Sequence, residues 1–226
     1  YTGSSEEVQI PEQFVRNGST VTVTRVGSEG TSGSPVPGFI APTVKKLIIP
    51  SSATTVTLGS QSPLLEEVET SVETTIRMQD VELANLTIKG YGGTLNLGIN
   101  RRQDQNPTII YNLVFDCQRA LLTRLNEEEC WEYYSVKKAT LTDKVTNVGG
   151  QFDIADEIEV ANEEFDGVAD YAFRNCKLER FKVNAKTGTR SVQNAEIGRL
   201  DISERIDYEL NMKSVGTLLV GDYVET

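Results

Sequence analysis

The chain of 226 residues contains no histidine, and this absence excludes more functions than any other feature of its composition. Without an imidazole the chain cannot form a Ser-His-Asp triad or a Cys-His pair, and it cannot bind zinc through histidine. Cysteine is also scarce, at three residues, which excludes a complete disulfide framework. One pair, Cys117 with Cys130, is conceivable, but we expect Cys117, Cys130 and Cys176 to be buried thiols.

Long apolar runs and an excess of positive charge are lacking as well. No stretch approaches the roughly 20 apolar residues that a membrane-spanning helix needs. Acidic residues outnumber basic ones by 33 to 22, which gives a formal net charge of −11. Because binding to nucleic acid or to anionic membranes depends on cationic side chains, we expect neither as a partner. No cofactor is expected.

What the chain does contain is a repeated pattern of apolar residues. One apolar residue is followed by two variable ones, a second apolar residue, one variable residue and a third apolar residue, as in Val44, Leu47 and Ile49. The central residues of successive copies lie roughly 21 positions apart on average, as in leucine-rich coils. The copy that ends in Thr70 is weak. The nine central residues are Leu47, Val68, Leu86, Leu113, Ala139, Ile158, Phe181, Leu200 and Leu218.

This repeat predicts a mostly β fold, a leucine-rich repeat or β-solenoid with about nine coils, a parallel sheet and few short helices. Residues 1–43 differ in pattern, and we interpret them as an N-terminal cap made of a hairpin and a loop rich in Gly, Ser and Pro. Residues 44–226 would form the solenoid, so that the whole chain is one structural domain. We expect a monomer.

Within the coils, a second and shorter strand follows the first after about nine residues, as Val56 and Leu58 illustrate. The two longest coils leave room for additional structure. Residues 118–134 are predicted to form a helix on the basis of their apolar spacing, and residues 168–176 a shorter helical turn.

Two segments carry a family resemblance. Residues 44–58 contain a strand that ends at Pro50, a Ser-Ser turn and a second strand, and a later segment has the run Tyr171-Ala172-Phe173 followed by Cys176 and Leu178. These elements resemble the BspA-like leucine-rich repeats of bacterial surface proteins, of which the chain would be a divergent member. The resemblance implies export to a bacterial cell surface, the periplasm or the extracellular space, and an adhesion-type role.

Three acidic clusters are the main candidates for chemistry. Carboxylates of this density suggest either calcium coordination or the paired acids of a polysaccharide lyase or hydrolase. Nothing in their spacing fixes the geometry that such a site needs, so we interpret them as a solvated acidic edge. The clusters are Glu127-Glu128-Glu129, Asp153 with Asp156-Glu157, and Glu163-Glu164 with Asp166.

Trp131, Tyr133 and Tyr134 form the densest aromatic cluster and are the candidate binding residues. If exposed, they would suit stacking on a sugar ring or anchoring a protein partner; if buried, they would hold a long coil against its neighbour. The leading hypothesis is a non-catalytic surface module that binds a protein or glycan. The alternatives are a lyase or hydrolase that uses acidic residues, and a purely structural spacer.

Overall fold

A computed structural model describes residues 4–27, 42–59, 62–78, 80–97, 107–124, 134–202, 204 and 209–221. These residues are mostly β, and the helical structure among them is one 3-10 turn, Phe152–Ile154. The predicted mostly β fold with a parallel sheet is confirmed. In the described ranges, no helix has the length and apolar character needed to cross a membrane.

The strands are distributed over one sheet of 12 strands, a second sheet of 3 strands and a hairpin of 2 strands. In chain order they are β1 (Glu7–Gln9), β2 (Gln13–Arg16), β3 (Ser19–Thr22), β4 (Arg25–Val26), β5 (Lys46–Ile49), β6 (Thr55–Leu58), β7 (Glu67–Thr70), β8 (Thr74–Met78), β9 (Glu82–Leu97), β10 (Thr108–Arg124), β11 (Tyr134–Leu141), β12 (Asn147–Gly150), β13 (Ala155–Val160), β14 (Gly167–Val168), β15 (Lys177–Val183), β16 (Glu196–Ile202) and β17 (Ser214–Val220).

The large sheet consists of two rows of parallel strands that share β9 and β10. The first row has the order β1-β5-β7-β9-β10-β11-β13, and the second row joins β4, β6, β8, β12 and β14 to the later halves of β9 and β10. The second row contains the shorter strands that the sequence predicted, such as Val56 to Leu58 in β6. Each repeat of the sequence pattern therefore contributes one strand to each row where both strands are present.

The pairing register follows the repeated pattern in six of its eight steps. For example, Leu47 is paired with Val68 and Leu86 with Leu113, and these side chains are fully buried. The weak copy is an exception, because Val68 pairs with Ile88 instead of Leu86. The other exception is the step from β13 to β15, which is not hydrogen-bonded as a strand pair.

The weak copy has a physical reason. Thr70 occupies an inward position and is buried, and its hydroxyl accepts a hydrogen bond from the backbone N–H of Gly92 at 2.8 Å. This bond stabilises the corner at which β9 passes from the first row to the second. Gly90 lies in the same corner with a φ of +80°, and a Cβ there would stand 2.0 Å from the carbonyl oxygen of Thr70. Only glycine fits this conformation and this contact.

The predicted helix over residues 118–134 is wrong for its first part. Residues 118–124 belong to β10, in which 119–124 pair with β9 and 119–122 also pair with β12, while residues 125–133 lie outside the described residues. Ala120 and Leu122 are buried two positions apart, which is the periodicity of a strand. The adjacent Leu121 points outward, so the leucines that suggested helical spacing lie on opposite faces of the sheet.

Residues 168–176 form successive tight turns instead of the predicted helical turn. Tyr171 and Asn175 have φ values of +62° and +59°, and such left-handed residues interrupt a helix. The same conformation recurs 19 residues later at Arg190 and Asn194. Asn194 Nδ2 donates to Asn175 Oδ1 at 2.8 Å, so the two turns are joined through equivalent side chains.

The N-terminal region contains one short strand, β1, followed by a hairpin. β1 pairs with β5, and β2 and β3 pair through a turn at Asn17 and Gly18, both with positive φ. All residues of β2 and β3 are exposed. The assignment of residues 1–43 as a cap stays a prediction, and its Gly/Ser/Pro loop at 27–37 lies outside the described residues except for Gly27.

Five buried phenylalanine rings pack where the first row is interrupted. Phe173 has ring centroids 5.9 Å from Phe152, 5.8 Å from Phe165 and 5.7 Å from Phe181. Phe115 continues this stack toward the first row, 5.8 Å from Phe152. These distances are typical of favourable aromatic pairs. The second row also crosses the interruption, through a single bridge between Val168 and Thr187.

Candidate functional site

The outer side of the first row, here called the strand face, presents the variable positions of each repeat. In all copies but the last, the apolar residues point toward the core, so the two residues between the first and second apolar positions point outward together; in β17, Leu218 and Val220 are exposed. Tyr111 and Asn112 are such a pair in β10, between the buried Ile110 and Leu113. The composition of the strand face is therefore independent of the core.

Toward β5 and β7, the strand face is charged but internally neutralised. The Lys46 Nζ atom lies 2.9 Å from both Glu67 Oε1 and Glu69 Oε2, and Lys89 Nζ lies 2.6 Å from Glu67 Oε2. Burial alone would raise the pKa of Glu67, but hydrogen bonds from Lys89 and Lys46 lower it. The hydrogen bond to Glu69 raises the pKa of Lys46.

Toward β11 and β13 the same pairing recurs. Lys137 Nζ lies 2.9 Å from Asp156 Oδ2, and Lys138 Nζ lies 2.8 Å from Glu159 Oε2 and 3.7 Å from Glu157 Oε1. The hydrogen bond to Glu159 is the main reason why the pKa of Lys138 is raised. Exposed pairs of this kind contribute at most about 1 kcal/mol each to stability. Their main effect is to cancel charge at both ends of the strand face.

Between these charged ends lies a group of uncharged residues, here called the neutral centre: Ala84 and Asn85 of β9, and Tyr111 and Asn112 of β10. The Tyr111 side chain is exposed, and its hydroxyl donates to Glu82 Oε1 at 3.0 Å. This hydrogen bond raises the pKa of Tyr111. Asn85 and Asn112 are register partners, and Asn112 Nδ2 donates to Asn85 Oδ1 at 3.1 Å and to the Ala84 carbonyl at 3.2 Å.

The aromatic site predicted from the sequence is only partly described. Trp131 and Tyr133 lie outside the described residues. Tyr134 begins β11, where it pairs with Thr108, and is 7% exposed. The three-residue site therefore stays a prediction. Sequence reasoning missed Tyr111, although its place between two apolar frame residues is the signal that would have identified an outward-facing ring.

The acidic clusters are largely matched by basic partners from neighbouring strands. Glu163 Oε1 lies 2.8 Å from Arg180 Nη1, and Glu164 Oε2 lies 2.6 Å from Lys182 Nζ. These contacts lower the pKa of both carboxyls. Asp166 is 3.9 Å from Lys186. The cluster at 127–129 lies outside the described residues.

Asp153 and Asp156 line a cleft of about 430 Å³ beside β13. Lys177, which begins β15, lines the same cleft, and Asp153 Oδ2 accepts a hydrogen bond from Asn175 Nδ2 at 3.2 Å. Asp166 lines a different cleft, so the three aspartates are not brought to one site. In the part of the chain that the structure describes, no three Cys, Asp or Glu side chains converge as metal ligands would.

Cys117 and Cys176 are free and buried, as expected from the sequence, while Cys130 lies outside the described residues. Burial raises the pKa of each of the two thiols to about 12. A thiol with so high a pKa is protonated near neutral pH and is a poor nucleophile.

Comparisons with known proteins provide little further information. No family model and no curated protein matches the chain. Among solved structures, it is similar to the pneumococcal vaccine antigen PcpA, with 12% identity over 99% of this chain and 78% of that chain, and with a TM-score of 0.26. A TM-score this low does not establish a shared fold.

Proposed function

We propose that the chain is a non-catalytic interaction module, built as a leucine-rich-repeat solenoid of about nine coils and related to the BspA-like surface proteins. It would bind a protein or a glycan through the strand face. The register of the parallel strands supports the solenoid, because six of eight steps pair equivalent repeat positions. Stacked coils of this kind present a broad surface instead of a deep pocket.

One observation carries the binding proposal. Tyr111 is 43% exposed in the middle of a row of strands, with an amide pair beside it and charge-compensated ends on both sides. A large apolar ring held at the surface costs hydration free energy unless a ligand covers it. Tyrosine is also enriched among residues that dominate binding energy.

The surroundings of the acidic residues and thiols support a non-catalytic role. Hydrolysis of a glycoside needs two carboxylates facing one substrate, with one of them kept protonated by a raised pKa. Glu163 and Glu164 have lowered pKa values, and Asp156 is held by Lys137. Asp153 and Asp156 share a cleft, which is the observation that favours the alternative of a lyase or hydrolase.

The second alternative is a structural spacer without a ligand. The burial of Tyr134 favours it, because a spacer needs no exposed aromatic cluster. The exposure of Tyr111 favours the binding module instead. Export to a bacterial cell surface or the periplasm follows only from the proposed family, and a full-length precursor that lacks any apolar signal region would contradict it.

The proposal is tested with an array of glycans and extracellular proteins, probed with the wild-type chain, Tyr111→Ala and Trp131→Ala. A ligand that is retained by the wild type and lost with Tyr111→Ala supports a binding module that uses the strand face. If binding is lost with Trp131→Ala but not with Tyr111→Ala, the binding site is the predicted aromatic cluster instead of the strand face. Failure of the wild type to bind any member would favour the spacer, and release of shortened sugars would favour the enzyme.

A further inference from the structure

We propose that the neutral centre binds an uncharged oligosaccharide, with the ring of Tyr111 stacked on the apolar face of one pyranose unit. This inference rests on the proposed binding function and names its ligand class. It is carried by three properties of the neutral centre: a ring held in one orientation by Glu82, two amide groups with free hydrogen-bonding atoms, and lysines on the next strand that are already engaged by carboxylates.

The ring of Tyr111 is fixed in place although it is exposed. Its hydroxyl donates to Glu82 Oε1 at 3.0 Å, which anchors one end of the side chain to β9. The C–H groups on one face of a pyranose are apolar and pack against an aromatic ring, while the hydroxyls point to the sides. Because the ring is already held, less conformational entropy is lost when a sugar packs on it.

The amide pair supplies the polar contacts that a sugar requires. Asn112 Nδ2 is used in bonds to Asn85 Oδ1 and the Ala84 carbonyl, which fixes both side chains. Among the described residues, Asn112 Oδ1 and Asn85 Nδ2 have no hydrogen-bond partner, so one acceptor and one donor remain available. They belong to adjacent strands about 4.8 Å apart. The two groups can therefore both contact one sugar unit, because each sugar hydroxyl can donate and accept.

The neighbours of the neutral centre favour a sugar over a protein. Residues that dominate protein–protein binding are surrounded by groups that exclude water from the contact. Here the adjacent outward positions include the hydroxyl residues Thr87 and Thr140, which flank Val114 in register. A surface of one ring, two amides and a single valine flanked by hydroxyl groups is suited to a ligand that is itself rich in hydroxyls.

The charges around the neutral centre favour an uncharged sugar. Lys137 and Lys138, on the next strand, are engaged with Asp156 and Glu159, so neither is free to pair with a carboxylate or sulfate of a ligand. The formal net charge of −11 also repels anionic polysaccharides. We therefore expect preference for neutral hexose oligosaccharides over uronic acid or sulfated ones.

Isothermal titration of the whole chain with neutral β-glucan, mannan and galactan oligosaccharides, and with oligogalacturonate, tests this inference. Tyr111→Ala should weaken binding of the neutral ligand at least about tenfold, while Tyr111→Phe, which keeps the ring, should stay within about threefold. Asn112→Ala should weaken binding about threefold to tenfold through the lost hydrogen bonds. The control Tyr91→Ala removes a different exposed tyrosine, in β9, and should not change sugar binding. Thermal unfolding of each variant is used to check that the fold is retained.

The possible outcomes separate this inference from the function on which it rests. A neutral sugar that is bound by the wild type and Tyr111→Phe but not by Tyr111→Ala supports both. Binding of a protein through Tyr111 without any sugar binding overturns the inference and leaves the interaction module standing. Sugar binding that is unchanged in Tyr111→Ala and Asn112→Ala, or that prefers the anionic ligand, overturns the inference. Absence of any ligand overturns both.

Discussion

The earlier and later parts of the chain join their successive strands in different ways. From β1 to β13, each strand of the first row is hydrogen-bonded to the next through the backbone. Between β13 and β15 this strand pairing stops, and the two sides are joined by isolated backbone hydrogen bonds and by the packed rings of Phe152, Phe165, Phe173 and Phe181. Almost any residue can contribute to a backbone ladder, whereas ring packing requires particular side chains. The earlier part can therefore accommodate a degenerate repeat, and the later part depends on its aromatic residues.

Among the changes that test this difference between the two parts, Phe173→Ala should lower the stability of the protein most. Phe173 is fully buried and contacts three other rings, so its truncation should lower the free energy of unfolding by about 3–5 kcal/mol. Because first-row strand pairing is interrupted beside this residue, amide hydrogen exchange should increase mainly in β15, β16 and β17. Urea unfolding and hydrogen exchange measure the two effects.

Leu86→Ala is the matched change in the earlier part. Leu86 is also fully buried, and we expect a loss of about 2–5 kcal/mol. Here the increase in hydrogen exchange should spread along the first row to β5 and β13, since these strands belong to one ladder. If hydrogen exchange increases at the same amides in Phe173→Ala and Leu86→Ala, the two parts unfold as one unit and do not differ in this way.

Gly90→Ala tests the corner that connects the two rows. The new Cβ would meet the carbonyl oxygen of Thr70 in a residue whose φ is +80°, so we expect a loss of about 2 kcal/mol or more. Gly18→Ala is the control, because Gly18 has a φ of +77° but nothing within 4 Å of its Cβ position. Gly18→Ala should lower the free energy of unfolding by only about 1 kcal/mol, because alanine disfavours the positive φ but meets no neighbouring atom there. If chemical denaturation shows equal losses of stability for Gly90→Ala and Gly18→Ala, the backbone at residue 90 can move away from the Thr70 carbonyl oxygen.

Thr70→Val should have the next largest effect. Valine has a similar shape, but it removes the buried acceptor of the Gly92 N–H, and an unsatisfied buried donor costs about 1–3 kcal/mol. The apolar residue would make the weak repeat more regular, so a stability gain on thermal unfolding would contradict the role of Thr70 at the corner. Thr70→Ser, which keeps the hydroxyl, should retain more of the wild-type stability.

The smallest expected effect concerns the charged end of the strand face. The pKa of Glu67 is lowered from 4.5 in the folded protein, so its ion pairs stabilise the fold above that pH and this contribution is lost as the pH falls through the lower folded-state pKa. Glu67→Gln should cost at most about 1 kcal/mol at pH 7. In urea titrations, the difference from the wild type should shrink progressively as the pH falls below 4.5.

Asp166→Asn is the control for this measurement. Asp166 approaches Lys186 only at 3.9 Å, and both side chains are largely exposed, so its replacement should change stability by less than about 0.5 kcal/mol. A difference between Glu67→Gln and the wild type that persists in acid would show that packing of the Glu67 side chain, and not its charge, is responsible.

The strands and their register were predictable because apolar residues at fixed intervals leave few alternatives. Leu47, Leu86 and Leu113 are buried and paired as the repeat indicates. The helix over 118–134 failed in its described part because Leu121 and Leu122 were counted on one face, whereas a strand places them on opposite faces. From the sequence, Thr70 looks like a weak position of the repeat. Its role was not predictable because the hydrogen bond that it accepts comes from Gly92, 22 residues away along the chain.

The candidate site was less accessible to sequence reasoning. Density of aromatic residues directed attention to Trp131, Tyr133 and Tyr134, but density along the chain does not report exposure. Tyr111 is a single ring, and it is identified as part of a site only when strand pairing brings Asn85, from the preceding repeat, beside Asn112. The cancellation of the acidic clusters by Lys137, Arg180 and Lys182 likewise depends on which strands are neighbours.

The interruption between β13 and β15 also has a mechanical consequence. If the chain is anchored at one end and loaded at the other, the pull acts across the rows and strains each strand pair in turn. Across the interruption, the ring contacts of Phe173 are short in range and the backbone hydrogen bonds are isolated from one another, so both yield after a small displacement. A continuous backbone ladder resists over several bonds. We expect single-molecule extension to show β15–β17 detaching first, before the larger sheet. A single rupture of the entire chain would contradict this.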